Sequence, residues 1–360
     1  MRVLVVANPR ATTTTVRQRD VLVHALAADA KLEVEETANR GHAAALACRA
    51  MRDGVDAVVA LGGDGTVNEV VNGLLTDGVH PGVPALGVVP GGSTNVFARA
   101  LGLPNDPVEA TSVLIDAMAN GRSRRIGLGL ADDRWFLFTA GLGYDAAVVA
   151  AVEAHRRRGK TSTHSLYVRT AVRTFFAQDR RRPALRLQLA DGRTVENLHM
   201  ALVNNCDPWT FLGNRAVSPT PAASFDSGLD VYARTRMGTV GILWSASRMI
   251  RTISADQDAG AGPVAQPSAD EPGSVDEPAA GSNRRWLRGA LAGRLPAGNR
   301  ADRAPSARAI RLRGDLVEHD LGDFVLSSAE PVPFQVDGDA LEERNSVRFR
   351  GIPDALEVFV

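Results

Sequence analysis

Cysteine is nearly absent from this 360-residue chain. Cys48 and Cys206 are the only two, they stand far apart, and they form no CxxC pair. A disulfide scaffold and a structural zinc site are thereby excluded, and a reducing compartment is expected. Lysine is equally scarce: Lys31 and Lys160 are the only two. A nucleotide site that sets a lysine on a phosphate would have to use one of them. The seven histidines are scattered, with no HExxH or HxxxH, so no histidine-built metal site is signalled. Neither sign of charge is in excess. Forty-one Lys and Arg balance forty-one Asp and Glu, so no global field draws the chain to nucleic acid, which is not expected as a partner. No apolar run approaches the roughly eighteen residues of a membrane span. The opening Met-Arg-Val-Leu-Val-Val-Ala-Asn-Pro lacks the flanks and apolar length of a signal peptide and predicts a strand. What is present is an ordinary globular balance, 44% hydrophobic and 23% charged. The length suggests two domains.

Residues 1–125 alternate short apolar runs with amphipathic stretches. Strands are expected at 2–7, 32–36, 56–61 and 85–89, and helices at 16–30, 43–52, 67–75, 95–100 and 107–120, the last with proline in its first turn. This rhythm predicts an α/β, doubly wound parallel sheet covered on both faces. From residue 126 the rhythm is lost. Strands are expected at 135–140, 184–189, 199–204 and 229–234, a hairpin turn at Asp191-Gly192-Arg193, and helices only at 145–154 and 166–177. Residues 254–308 are rich in Pro, Gly, Ala, Ser, Asp and Arg, acidic in their first half and basic in their second. Such a segment buries too little apolar surface to offset its ordering entropy, and it is expected to be a largely disordered insertion. Strand patterns resume at 309–312, 323–326, 332–336, 346–350 and 355–360. The expected organisation is therefore a nucleotide domain over 1–125 and a β-rich domain over 126–253 and 309–360, interrupted by the insertion, with an active site in the cleft between them.

The most informative stretch is Gly62-Gly63-Asp64-Gly65-Thr66-Val67-Asn68, after one strand and opening a helix. Glycines let a backbone approach an anion and make positive φ available. The helix N-terminus adds unpaired N–H groups and a partial positive charge. The loop is neither a Walker A motif nor a GxGxxG fingerprint. Asp64 inside a phosphate cradle suits a bound divalent cation or a substrate hydroxyl, and the bland alternative is a helix N-cap. A second glycine turn, Pro90-Gly91-Gly92-Ser93-Thr94-Asn95, follows another strand. In a parallel sheet both turns share one edge with Asn8-Pro9-Arg10 and with the loop 37–42.

GGDGTVNEVVNG and PGGSTNVFARALGLP together resemble the diacylglycerol kinase catalytic-domain family, which includes bacterial soluble lipid kinases and sphingosine kinases. TANRGHA, FLFTAGLGYDAAVV, PAASFDSGLDVYA and PFQVDGD extend the resemblance over the chain outside the insertion. It implies an ATP-dependent transfer of the γ-phosphoryl group to a lipid hydroxyl, with diacylglycerol the default acceptor. ATP contacts are implied at Asn8, Pro9, Arg10, Ala11, Thr12, Thr37, Gly62, Gly63, Asp64, Gly65, Thr66, Val67, Asn68, Gly92 and Thr94. A structural Mg²⁺ site is implied at Asp226 with the carbonyls of Ala223 and Gly228. Catalytic carboxylates are implied at Asp337 and Asp339, with Asp64 beside Mg-ATP or the accepting hydroxyl. Asp337 is the first candidate for general base and Asp64 the second, whereas an Asp-Gly pair alone is a common hairpin turn. A membrane lipid as substrate, transient contact with an anionic membrane surface and a cytoplasmic, peripheral location at the inner membrane follow from the same resemblance, and a homodimer is left open.

Three departures from the family pattern stand out. The family's DGxLD is Asp226-Ser227-Gly228-Leu229-Asp230 here, its DGE is Asp337-Gly338-Asp339, and Val96 stands where many relatives carry Asp. Two other functions compete. NAD kinases share a GGDGT loop, but their second Asn-Glu pair has no counterpart in the second half of this chain. A nucleotide-binding regulator that has lost chemistry is the non-enzyme alternative. His42 is read as a cap or packing residue, and Arg156 to Lys160 as a solvated basic run or a lipid head-group contact. Trp209, Phe211 and Leu212 either pack or line a lipid entrance. Residues 284–295 are either a weak interfacial helix or a basic linker.

Overall fold

The computed structural model describes residues 1–11, 31–157, 184–238 and 314–360, with short pieces between 20 and 25 and between 169 and 174. Thr12, the insertion 254–308 with its segment 284–295, the strand expected at 309–312 and the Arg158–Lys160 end of the basic run lie outside the described residues. So do most of the helices expected at 16–30 and 166–177.

The N-terminal half is the expected parallel sheet. Strands β1 (Arg2–Ala7), β2 (Lys31–Glu36), β3 (Ala57–Gly62) and β4 (Ala85–Pro90) lie in the order β2-β1-β3-β4, all parallel. Successive residues of the inner strands feed opposite cores. Leu4, Val6, Val58, Ala60, Leu86 and Val88 pack under α1 (His42–Arg52) and α2 (Asp64–Leu74). Val3, Val5, Ala57, Val59 and Leu61 pack with Leu114 and Ala117 of α4 (Pro107–Ala119) on the other face. Burial on both faces is why these strands are unbroken apolar runs. The short α3 (Val96–Ala100) follows β4.

The remaining strands pair antiparallel, except where β18 (Arg344–Phe359) joins β4 in parallel. A ten-stranded sheet continues past β4 through β18, β15 (Asp323–Val332), β8 (Leu185–Leu189) and β9 (Thr194–Leu198). Strands β5 (Ser123–Ala131) and β6 (Arg134–Phe136) also join it, through β18. A six-stranded sheet runs β14 (Asp315–Leu321), β13 (Leu229–Arg234), β10 (Met200–Asn204), β7 (Thr139–Gly143), β16 (Phe334–Val336) and β17 (Asp339–Ala340). The two sheets share a core that includes Phe136, Leu142, Leu187, Leu326 and Phe349. Helix α5 (Tyr144–Arg157) follows β7, and a small hairpin, β11 (Thr210–Leu212) with β12 (Arg215–Val217), stands apart from both sheets. The turn expected at Asp191–Arg193 is present, with Gly192 at φ 84 and its N–H on the Leu189 carbonyl at 3.0 Å.

Two strand expectations need correction. The strand expected at 135–140 is split into β6 and β7. The reason is visible in the hydrogen bonds: the N–H groups of Leu137, Phe138 and Thr139 donate to the Asp337 carboxylate, not to a neighbouring strand. The two strands expected at 346–350 and 355–360 are one, β18. Gly351 and Pro353 resemble a turn in sequence, but the irregularity is absorbed between Ile352 and Leu356, where the register against β5 shifts.

Candidate functional site

The four loops at the carboxyl ends of β1 to β4 form one interlocked rim. The Asn8 N–H donates to the Leu61 carbonyl at 2.9 Å, and the Gly91 N–H to the Gly62 carbonyl at 2.8 Å. Asn8 Nδ2 donates to Thr66 Oγ1 at 3.0 Å, and Asn8 Oδ1 accepts the Arg10 N–H at 2.9 Å. The glycines serve this rim differently from expectation. None of Gly62, Gly63, Gly65, Gly91 and Gly92 has positive φ. Gly63, Gly91 and Gly92 are needed because the two turns pack backbone to backbone, and Gly62 because a Cβ there would meet the Thr66 side chain. A Cβ on Gly92 would lie 2.8 Å from the Gly63 Cα, and one on Gly91 would lie 3.0 Å from the Gly62 Cα. Gly65 differs, because a Cβ there would meet only Asp339 Oδ2, at 3.9 Å. No side chain caps α2, so the leading N–H groups of that helix and the positive end of its dipole are left for an anion.

Asp64 is not the solvent-facing carboxylate of a cradle. Oδ2 accepts the Val96 N–H at 3.0 Å and Oδ1 the Phe97 N–H at 3.1 Å. The side chain therefore caps α3 from the neighbouring loop, a duty that Asn95 leaves open because its own side chain folds back onto Gly92. Burial pushes the Asp64 carboxyl above the ordinary range, against the two N–H donors that favour its charge. Val96 thus contributes its backbone N–H to the Asp64 carboxylate.

Asp337 and Asn68 are also turned inward. Asp337 and Gly338, at φ 48 and 80, form the two-residue turn between β16 and β17. The Asp337 side chain leaves that turn for the interior. Oδ2 accepts from Leu137 N at 2.8 Å and Asn68 Nδ2 at 2.7 Å, and Oδ1 accepts from Phe138 N and Thr139 N, both at 3.1 Å. Burial pushes its carboxyl up to about 7, against those four donors. Asn68, 1% exposed, also accepts from Arg134 and donates to the Trp135 carbonyl. Both side chains join α2 to the C-terminal strands, and neither has a free face for a ligand.

The residue that does face the cradle is Asp339. Its Oδ2 pairs with Arg40 Nη2 at 3.1 Å and lies against Gly65. Arg40 Nη1 reaches Glu153 Oε1 of α5 at 3.1 Å. The turn bearing Asp339 is fixed from behind. The Gly338 N–H donates to Gln335 Oε1 at 3.0 Å, and Gln335 Nε2 donates to Asp145 Oδ2 at 3.1 Å. Asp145 is buried, which pushes its carboxyl up to about 6 against the Gln335 hydrogen bond. Arg40, Glu153, Asp145 and Gln335 carried no assigned role in the sequence. Arg40 lies within TANRGHA and Gln335 within PFQVDGD, so the segments were visible although the contacts were not.

The other expected residues are more dispersed. Pro9 and Arg10 are exposed, Ala11 packs near Gly91, and Thr37 is fixed by its N–H on the Ala7 carbonyl at 2.9 Å. Thr94 lies half-buried in the second glycine turn. His42 closes its loop, its Nδ1 accepting the Ala38 N–H at 3.0 Å, in accord with the capping reading. Arg99 stacks on Phe211 with its guanidinium 3.3 Å from the ring centre, leaving Leu212 exposed at the hairpin tip. At the turn expected to hold Mg²⁺, both carbonyls carry one internal donor and the carboxylate is open. The Ala223 carbonyl already accepts the Asp207 N–H at 3.1 Å, and the Gly228 carbonyl accepts the Ser227 hydroxyl at 3.2 Å. Asp226 itself is an exposed carboxylate. Among the described residues no group of three or more His, Cys, Asp or Glu could hold a metal ion.

Residues 2–131 match the family model described as diacylglycerol kinase catalytic domain. A diacylglycerol kinase of Staphylococcus aureus (strain JH9) is 39% identical over 124 residues, which is 34% of this chain and 37% of that protein. The match thus spans little more than a third of the curated relative. A solved diacylglycerol kinase from Bacillus anthracis str. Sterne is 17% identical, covers 99% of this chain and 96% of its own, and superposes with a TM-score of 0.60. A second structure from that organism, also 17% identical with the same coverage, gives 0.66. The resemblance read from the two glycine motifs is borne out, and so is the two-part α/β and β-rich fold.

Proposed function

We propose, from the match of residues 2–131 to the diacylglycerol kinase catalytic domain model, that the chain is an ATP-dependent lipid kinase that moves the γ-phosphoryl group to a lipid hydroxyl, with diacylglycerol as the first acceptor to test. One observation carries the reading: the Asp339 carboxylate stands over Gly65, at the uncapped N-terminus of α2. It joins a proton acceptor from the C-terminal strands to an anion site on the N-terminal sheet.

In this reading the Asn8–Ala11 turn, Thr37, residues 62–66 and the second glycine turn hold the nucleotide. Asp339 takes the acceptor's proton as its oxygen attacks the γ-phosphorus. The bond from that phosphorus to the bridging oxygen breaks, and ADP leaves with the electron pair. Phosphoryl transfer asks a protein mainly for alignment and charge neutralisation, and a base within hydrogen-bond reach completes it. A divalent cation carried in with ATP would neutralise part of the phosphate charge. Asp64, Asp337 and Asn68 act as positioning residues, because every bond described for their side chains holds backbone or a neighbouring side chain in place. No helix among the described residues is long and apolar enough to cross a membrane.

The test is phosphate transfer from labelled Mg-ATP in three parallel reactions, with diacylglycerol micelles, with NAD and with neither, followed by mass spectrometry of the product. Labelled phosphatidic acid is expected. Labelled NADP, or ATP consumption indifferent to lipid, would overturn the proposal.

A further inference from the structure

We propose that Arg40 is a catalytic residue: its guanidinium meets the transferred phosphoryl group, and before nucleotide arrives it rests on the base carboxylate of Asp339. This inference rests on the phosphotransfer reading above.

Charge sets the first requirement. A transferring phosphoryl group spreads negative charge over its oxygens and needs a cation beside it. Lysine is not at hand. Lys31 starts β2 opposite Arg2, at the far end of the strands from the cradle, and Lys160 lies outside the described residues. The loops on the cradle edge carry arginines instead, Arg10 after β1 and Arg40 after β2. Arg40 is the one in contact with the candidate base. Its Nη2 lies 3.1 Å from Asp339 Oδ2, and that oxygen lies 3.9 Å from the point where a Gly65 Cβ would stand. The guanidinium is therefore one carboxylate away from the anion site.

Arg40 has the freedom and the anchor that such a role needs. Its side chain is 54% exposed, so it can turn without disturbing a core. Gly41, at φ 84, lies between it and α1. Its other terminal nitrogen is held at 3.1 Å by Glu153, whose side chain is only 16% exposed. Letting go of Asp339 would thus leave the guanidinium tethered to α5. A guanidinium fork matches two oxygens of a phosphoryl group as it matches a carboxylate. The incoming γ-phosphate therefore competes with Asp339 for the same donors. Exchange of partners places the cation on the group being transferred and releases the carboxylate to accept the hydroxyl proton. The bonds made and broken are those of the reaction above, with no further reactant.

The experiment compares full-length wild type, Arg40→Ala and Arg40→Lys. It measures turnover with Mg-ATP and a soluble short-chain diacylglycerol, and ATP and ADP affinity by calorimetry. Arg40→Ala should lower kcat by about 10²- to 10³-fold and weaken ATP by about 10-fold, one lost charge-assisted contact, while leaving ADP within about 2-fold. Arg40→Lys should recover only part of the rate, since a point charge replaces the fork. Equal weakening of ATP and ADP would make Arg40 a loop-shaping residue and overturn the inference, as would unchanged kcat in Arg40→Ala. A wild type that binds both nucleotides yet phosphorylates no lipid sinks the kinase reading alone, and the ATP-to-ADP contrast still decides Arg40. A wild type that binds neither nucleotide overturns both.

Discussion

The two acids of the Asp337-Gly338-Asp339 turn should fail in opposite ways when each is changed to asparagine. An asparagine at 337 has one acceptor oxygen for the four donors that Asp337 now receives. In either orientation its amide N–H₂ faces two of them. Each buried donor left unpaired costs about 1–3 kcal/mol. Removing a buried charge offsets part of that, so a net loss of about 2–5 kcal/mol is expected. Unfolding entropy scales at about 2.1 cal/mol/K per residue. Over 360 residues, a loss of about 4 kcal/mol then lowers the thermal midpoint by about 5 °C. At 339 the side chain is 28% exposed and pairs with a half-exposed arginine, and exposed pairs contribute about 0–1 kcal/mol. Asp339→Asn should therefore melt within about 1–2 °C of wild type and lose about 10²- to 10⁴-fold in kcat. Paired thermal scans and initial rates at saturating ATP decide the matter. A stable but inactive Asp337→Asn, alongside an Asp339→Asn of normal rate, would refute the assignment and return the base to Asp337.

The other predictions test the rim and its buried acids. Gly92→Ala should destabilise the chain by about 1–3 kcal/mol, measured by urea unfolding, because its Cβ drives into the opposing turn. Gly65→Ala should melt normally but weaken nucleotide binding in calorimetry, because its Cβ has open space on every side but that of Asp339. Asp64→Ala should cost about 0.5–2 kcal/mol as a lost cap, and an unchanged unfolding midpoint would return Asp64 to a purely catalytic role. The Asp145 carboxyl, raised to about 6 from the ordinary 3.8, makes the folded chain hold a proton that the unfolded chain releases. Its contribution is thus fully present below pH 3.8 and lost as pH rises toward 6. Asp145→Asn should flatten that part of the stability profile.

The parallel half was legible because strands buried on two faces are continuous apolar runs, and glycine turns between them are plain in sequence. The rim was legible as a location but not in its wiring. Asp64 reads in sequence as a partner for a cation, a substrate hydroxyl or its own helix, because nothing in GGDGT reveals that its partners are the amides of Val96 and Phe97. Asn68 and Asp337 meet across 269 positions, a pairing that no local pattern encodes. The same carboxylate takes the N–H groups of Leu137 and Phe138, the two residues between β6 and β7, which is why a run that reads as one strand is two. Asp337 and Asp339 look interchangeable in sequence, and only the turn separates them, sending one side chain inward and the other toward Gly65.

The place of β18 has a consequence for how the protein is made. Val358 lies beside Leu86, where the last described strand joins the first sheet. A ribosome delivers β4 long before it delivers β18, so β4 emerges with an open edge that must wait for nearly the whole chain. Open edges recruit other strands, and pairings of such long separation form slowly. A stalled or truncated product would own the glycine rim and lack both the strand that seals it and Asp339. It would offer an unsealed edge to its neighbours, and under the proposed function it would bind nucleotide without turning it over. Synthesis that pauses late in this gene should therefore yield aggregates, not half-active enzyme.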